Sequence, residues 1–244
     1  MAQLQKPTLL SIAARKFCVP LLFAEKLADG SIDASGGTAL LLETAKGRFL
    51  VTAMHVWSGL IAKSNLPGGS MTIAIPNGQK FLSVTDASVV AEADDVVVLK
   101  SVRLSACTPE GKSFYHPLEW PIPPINDSEI VGFTGFPKDY RKISGYQFDT
   151  GSWHTECPCR VGSGGRYLIP GSNLGAERES VQHVKNPPPL EDIGGSSGAP
   201  VFVWRDGRAI LIGIVTDGTD GAGVQSTIWI SPLTKLQENG KLTY

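Results

Sequence analysis

Short segments of four to seven residues, apolar throughout or alternating apolar with polar and closed by Gly, Pro, Asp or Asn, run along the whole chain. That pattern points to sheets of many short strands. The predicted strands are Thr38–Leu42, Arg48–Thr52, Met71–Ile75, Phe81–Val84, Val96–Leu99, Ile130–Thr134, Lys142–Phe148, Val201–Trp204, Ile210–Thr216 and Thr227–Ile230. The 27 glycines and 17 prolines supply the turns between them. A helical period is clearest over Pro232–Asn239 and is also present over Met54–Lys63. At 244 residues the chain has room for two small lobes sharing one interface. The expectation is an all-β protein with a short C-terminal helix, and strand pattern alone leaves barrels and a β-sandwich both open.

Three segments carry candidate chemistry. Gly195-Ser196-Ser197-Gly198-Ala199-Pro200 is a loop of small residues in which one hydroxyl can stand clear of a tight backbone turn. Leu50–His55 is an apolar strand ending in Thr-Ala-Met-His, with the imidazole just beyond the strand. Asp94-Asp95 leads into the apolar run Val96–Leu99 and then Lys100. A histidine, an acid and a serine are the components needed to make a protonated hydroxyl into a nucleophile.

Together these segments resemble the trypsin-like serine proteases of the chymotrypsin fold, of the kind found in bacterial trypsin-like peptidase domains. The loop matches the family's Gly-x-Ser-Gly-Gly/Ala-Pro, and the chain order His, Asp, Ser is the family's and not that of subtilisin-like or α/β-hydrolase proteins. The resemblance implies two six-stranded antiparallel β-barrels, with residues 1–120 carrying His55 and Asp95 and residues 121–244 carrying Ser197. The lobe boundary is expected near Pro117–Asp127, where Pro121-Ile122-Pro123-Pro124 resembles an extended strap between barrels. It further implies His55 as general base, Asp95 as the acid that orients it, and Ser197 as nucleophile, with the amides of Gly195 and Ser197 as oxyanion donors. Asp94 and Ser196 compete for two of these roles. The acid immediately before the apolar run is the family's, which selects Asp95, and the Gly-Ala-Pro that follows selects Ser197.

Two departures from the trypsin pattern bear on activation. Ser196 stands where trypsins carry the Asp that pairs with a freed N-terminal amine, and no Ile-Val-Gly-Gly precedes Gly36-Gly37-Thr38. Activation of the trypsin kind is therefore not expected. The resemblance implies instead an enzyme active as made or switched by rearrangement of its oxyanion loop, with an activating protein partner as one route. The non-enzymatic counterpart is a protease-like module that binds peptides without turnover.

In the family, the residue six before the nucleophile lies on the floor of the pocket for the side chain preceding the cut. Here that is Glu191, followed by Asp192, and an acid there selects Arg or Lys; the alternative is a pair of exposed loop acids after Asn186–Pro189. Leu211–Thr216 resembles the strand that pairs with extended substrate. Thr216, Asp217 and Gly218 complete the expected substrate-binding set, with Asp217 adding negative charge beside the cut.

The chymotrypsin-type mechanism needs no cofactor or metal. Cys157-Pro158-Cys159 with His154 supplies too few ligands for zinc, and His116, His154 and His183 lie in no motif. Of the four cysteines, none adjoins Ser197, and Val56-Trp57 occupies the place of the disulfide cysteine of secreted trypsins. Reduced thiols, an N-terminus with no signal-peptide pattern and no run of membrane-spanning length lead to the expectation of a cytoplasmic protein. A net charge of −1 and scattered basic residues do not indicate nucleic acid. A protein or peptide is the expected substrate.

Overall fold

A computed structural model of the chain describes residues 8–26, 32–64, 72–77, 80–137, 141–144, 147–150, 152–170, 194–218 and 227–243. The architecture is all-β, with two antiparallel sheets and few helices, consistent with a chymotrypsin-like double-β fold. The first sheet is built from β1 (Cys18–Lys26), β2 (Ile32–Thr44), β3 (Gly47–Ala53), β4 (Thr72–Asn77), β5 (Lys80–Ser83), β6 (Ser88–Ala93) and β7 (Val96–Lys100). β8 (Ile130–Gly135) opens the second, and β9 (Arg141–Ser144) and β10 (Gln147–Thr150) form a separate hairpin. β11 (Trp153–Pro158), β12 (Arg160–Val161), β13 (Tyr167–Pro170), β14 (Pro200–Arg205), β15 (Arg208–Gly218) and β16 (Thr227–Pro232) complete it.

The spatial order is β5-β4-β1-β2-β3-β7-β6 in the first sheet and β11-β8-β14-β15-β16-β13-β12 in the second. Each sheet thus has seven strands where six were expected. The difference has one cause: the fourth arm of the first lobe is the β4–β5 hairpin, and the third arm of the second is the β12–β13 hairpin. Counting each hairpin as one arm, both lobes follow the same circular order: first, second, third, sixth, fifth, fourth. Among the described residues, the first ladder is open between its fourth and fifth arms and the second between its second and third. The lobes are structural repeats although no repeat is legible in the sequence.

Burial explains why the strands read as continuous apolar runs. One cluster lies within the first sheet and includes Leu21, Leu41, Leu50, Val97 and Leu99. A second lies within the other sheet, around Val131, Phe133, Val201, Ile212 and Ile228. The third joins the lobes: Leu40, Leu42, Val51, Val96 and Val98 from the first meet Phe202, Leu211 and Ile214 from the second. Alternate residues of β2, β3 and β7 therefore face a lobe interior on one side and the interface on the other, so both faces are apolar.

Among the described residues, three α-helices accompany the sheets. α1 (Leu9–Phe17) was not expected; it is N-capped by Thr8, whose hydroxyl accepts the Ser11 amide at 3.0 Å, and its Leu10 fills the space left by the missing side chain of Gly132 on β8. Although N-terminal, it packs on β8 and β14 of the second sheet. α2 (Met54–Ser64) matches the period seen over Met54–Lys63, and α3 (Val102–Ala106) is a single short turn.

The expected C-terminal helix over Pro232–Asn239 is absent. Leu233 and Leu236, which gave the window its period, are both buried, but they close one turn (Leu236 N–H to Leu233 O, 2.9 Å) before the chain doubles back through a bridge between Leu236 and Leu242. Gly240, at φ +81°, makes the reversal and sits against the Phe49 ring. Asn239-Gly240 is a turn signal that outweighs an eight-residue helical window. Among the described residues no helix is long and apolar enough to cross a membrane.

Candidate active site

Antiparallel pairing sets up the first half of the site. Ala53, the last residue of β3, pairs with Val96, the first of β7, so the residues just after β3 meet those just before β7. The ladder runs one step further through Met54 N–H to Asp95 O at 2.8 Å. Asp94 and Asp95 are the two loop residues of the β6–β7 hairpin, at φ 52° and 60°. Left-handed conformation at both positions is what a two-residue hairpin turn demands, and Asp accepts it better than most residues.

From this turn the Asp95 carboxylate contacts His55 twice. Oδ1 accepts the His55 backbone N–H at 3.0 Å, satisfying an otherwise unpaired amide in the first turn of α2, and Oδ2 lies 2.8 Å from Nδ1. A carboxylate only accepts, so Nδ1 carries the proton and Nε2 presents its lone pair. The imidazole is 51 % exposed and the carboxylate 33 %. Asp94 is directed elsewhere, its Oδ2 2.9 Å from Lys235 Nζ.

The second half is the turn before β14. Ala199 N–H bonds Ser196 O at 2.9 Å, and Gly198 has φ +88°, which makes a type II turn with Ser197 at its first corner. This turn docks on the first lobe. Thr38 donates its amide to Ser197 O and its hydroxyl to Gly195 O, both at 2.8 Å, while its own carbonyl accepts the Thr52 hydroxyl at 2.7 Å. Phe136 N–H adds a bond to the Thr38 hydroxyl at 3.2 Å. Gly37 lies between Ser197 and the residue following His55: a Cβ there would come 2.7 Å from Ser197 O and 2.8 Å from the Val56 methyls.

Ser196 and Ser197 occupy different environments. Ser196 is 1 % exposed, its hydroxyl without a hydrogen-bond partner and pressed against Gly135. Ser197 is half-buried. Among the described residues, the Ser197 hydroxyl forms no hydrogen bond, so the structure joins Asp95 to His55 and leaves the Ser197 hydroxyl unbonded. The Gly198 and Ala199 amides are committed to Val215 O and Ser196 O, whereas those of Gly195 and Ser197 donate to no acceptor among the described residues.

β15 borders this turn through Gly198 N–H to Val215 O at 2.7 Å and Val215 N–H to Ala199 O at 2.9 Å. Pairing on that side stops there among the described residues, while β16 continues along the other side as far as Gly218. A bulge between Val215 and Asp217 makes Thr216 the extra residue, with its side chain fully buried and its hydroxyl 3.2 Å from that of Ser231. Of the expected substrate-binding set, Thr216 thus offers backbone and not side chain, Asp217 is exposed, and Gly218 ends the strand. Glu191, Asp192 and Asn186–Pro189 lie outside the described residues.

The His55 pKa is raised above its ordinary 6.5, first by the hydrogen bond to Asp95, against the effect of burial, and further by the charges of Asp95 and Asp217. A base works in its neutral form. The acid limb of kcat/KM is therefore expected above pH 6.5, and Asp217→Asn should shift it to lower pH. A pH profile in which Asp217→Asn leaves the limb in place would refute the coupling.

All four cysteines are free thiols. Burial pushes Cys157 up to about 12 and Cys159 up to about 11, so both stay protonated near neutrality. His154 is buried between Thr134 (3.1 Å) and Glu156 (3.1 Å), and Glu156 also accepts the Thr8 hydroxyl that caps α1. Sequence reasoning missed Thr38, Ser231 and Lys235. The one available signal was a polar residue at each end of an apolar run, as at Thr38 before Ala39–Leu42.

Neither a family model nor a curated protein matches this chain. Among solved structures it is similar to the crystal structure of a thermostable serine protease, AL20, from an extremophilic microorganism, at 11 % sequence identity and a TM-score of 0.46 over 90 % of this chain and 93 % of that one.

Proposed function

We propose that this chain is a serine endopeptidase that cleaves protein or peptide substrates through an acyl-enzyme. The observation that carries the reading is the two-point pairing of Asp95 with His55, together with a half-buried serine at a turn corner whose own amide and that of Gly195 donate to no acceptor among the described residues. His55 Nε2 takes the Ser197 proton as Oγ attacks the scissile carbonyl, and returns it to the leaving amine; water then repeats the sequence to release the acid. Asp95 fixes the tautomer and stabilises the imidazolium. The Gly195 and Ser197 amides receive the oxyanion, each worth about 3 kcal/mol in the transition state.

In this reading the site forms where residues 1–120, bearing His55 and Asp95, meet residues 121–244, bearing Ser197. Extended substrate pairs along β15 over Thr216–Gly218. Asp217 favours a basic residue near the cut, and Glu191 is the candidate pocket floor. The serine-to-histidine bond forms as substrate seats, since catalytic hydrogen bonds are often loose before it does, and an activating partner acts on the same turn.

Incubating the protein with a fluorophosphonate and a mixed peptide library, beside Ser197→Ala, tests this. Labelling that depends on Ser197, with cuts after Arg or Lys, is the expected outcome. Cuts elsewhere would remove the acidic-pocket assignment, and silence in both proteins would leave a peptide-binding module without turnover.

A further inference from the structure

The Asp94-Asp95 turn is held from the opposite lobe. Ser231 on β16 is fully buried, and its hydroxyl donates to the Asp94 carbonyl at 2.8 Å. A serine hydroxyl has one proton, so its 3.2 Å contact with Thr216 must run the other way, with the threonine donating. The result is a directed relay from Thr216 to Ser231 to Asp94 O, crossing from the second sheet to the first. Just beyond β16, Lys235 pairs with the Asp94 side chain at 2.9 Å.

The carbonyl that Ser231 grips belongs to the peptide plane joining Asp94 to Asp95. Rotating that plane changes ψ of Asp94 and φ of Asp95 together. Both residues are left-handed, which is a costly conformation for a residue with a side chain, so this turn has relaxed alternatives. In those alternatives the Asp95 carboxylate no longer meets both the His55 amide and Nδ1. We propose that Ser231 is a positioning residue: its hydroxyl selects the turn conformation that aims Asp95 at His55, and so makes the alignment of the acid depend on docking of the second lobe. The inference rests on the reading of His55 and Asp95 as base and acid.

The test compares Ser231→Ala, Ser231→Thr and Lys235→Met with the parent as full-length proteins. Two NMR observables of the folded proteins are followed, the His55 titration and its downfield Nδ1–H resonance. Among the described residues, the carboxylate besides Asp95 that raises the His55 pKa is Asp217, and it is unchanged in every variant. Ser231→Ala is expected to lower the His55 pKa toward 6.5, to abolish the downfield resonance, and to reduce kcat tenfold or more with KM within twofold. Ser231→Thr should restore all three, and Lys235→Met should leave them near the parent. A folded Ser231→Ala with parental titration and resonance overturns the proposal, whatever its melting temperature. Should the alanine variant not fold, Ser231→Cys keeps the shape with a much weaker donor, and parental values there overturn the proposal equally. Because the titration and the resonance need no turnover, absence of Ser197 labelling would sink the protease reading while these two readouts still decide whether Ser231 sets the Asp95–His55 geometry.

Discussion

His55→Ala is expected to lower kcat by about a million-fold while KM changes little. In the proposed mechanism the imidazole accepts the Ser197 proton; among the described residues, Asp95 is bonded to Nδ1 and the His55 backbone amide, and Ser196 is sealed against Gly135. A serine hydroxyl without a base is almost wholly protonated near neutrality, so attack fails even when substrate binds. Because the missing interaction belongs to the transition state, the loss belongs in kcat. Single-turnover kinetics with an activated ester substrate would check it. A fall of less than a hundredfold would mean that another base serves Ser197, and the proposed mechanism would not stand.

Gly198→Ala should cost about 2 to 5 kcal/mol of stability and abolish probe labelling at Ser197. Two penalties coincide. At φ +88° an L-residue is strained by about 1 to 2 kcal/mol, and the new Cβ would fall 1.9 Å from the Thr38 carbonyl and 2.2 Å from the Thr52 hydroxyl. The carbonyl belongs to β2 and already accepts the Thr52 hydroxyl, so it cannot move aside without breaking the ladder that supports His55. Overpacking of this kind adds about 1 to 3 kcal/mol. The turn that presents Ser197 would have to leave the first lobe, taking the Thr38 bonds to Ser197 and Gly195 with it. Urea denaturation followed by far-UV circular dichroism measures the loss, and an unchanged midpoint would show that the turn does not pack as described.

How much of this could be read in advance differs from element to element. β3, β7, β14 and β15 were legible because strands buried on both faces are written as apolar runs. β1 was hidden by Pro20, which the sheet tolerates because, among the described residues, Pro20 pairs with β2 and β4 joins β1 over Leu22–Ala24. α1 was hidden because nine residues, Leu9–Phe17, are too short a window to establish a helical period. Its stability comes from Leu10 over Gly132 and from a cap that reaches Glu156, 148 residues away. The C-terminal window failed for the converse reason: two leucines at helical spacing are equally well buried by a single turn and a reversal at Asn239-Gly240.

The site divides along the same line. By themselves the residues determined which groups stand at strand ends: His55 just past β3, Asp95 just before β7, Ser197 in a turn that only Gly198 permits. They did so because turn geometry and strand periodicity are local properties of the chain. What joins those ends is not local. The pairing of Ala53 with Val96 joins strands 43 residues apart within the first sheet, while the seat of the Ser197 turn on Thr38 and the grip of Ser231 on the Asp94 carbonyl link residues brought together only when two sheets close on a shared apolar interface. Burial of that interface decides the register, and the register decides which hydroxyl meets which carbonyl.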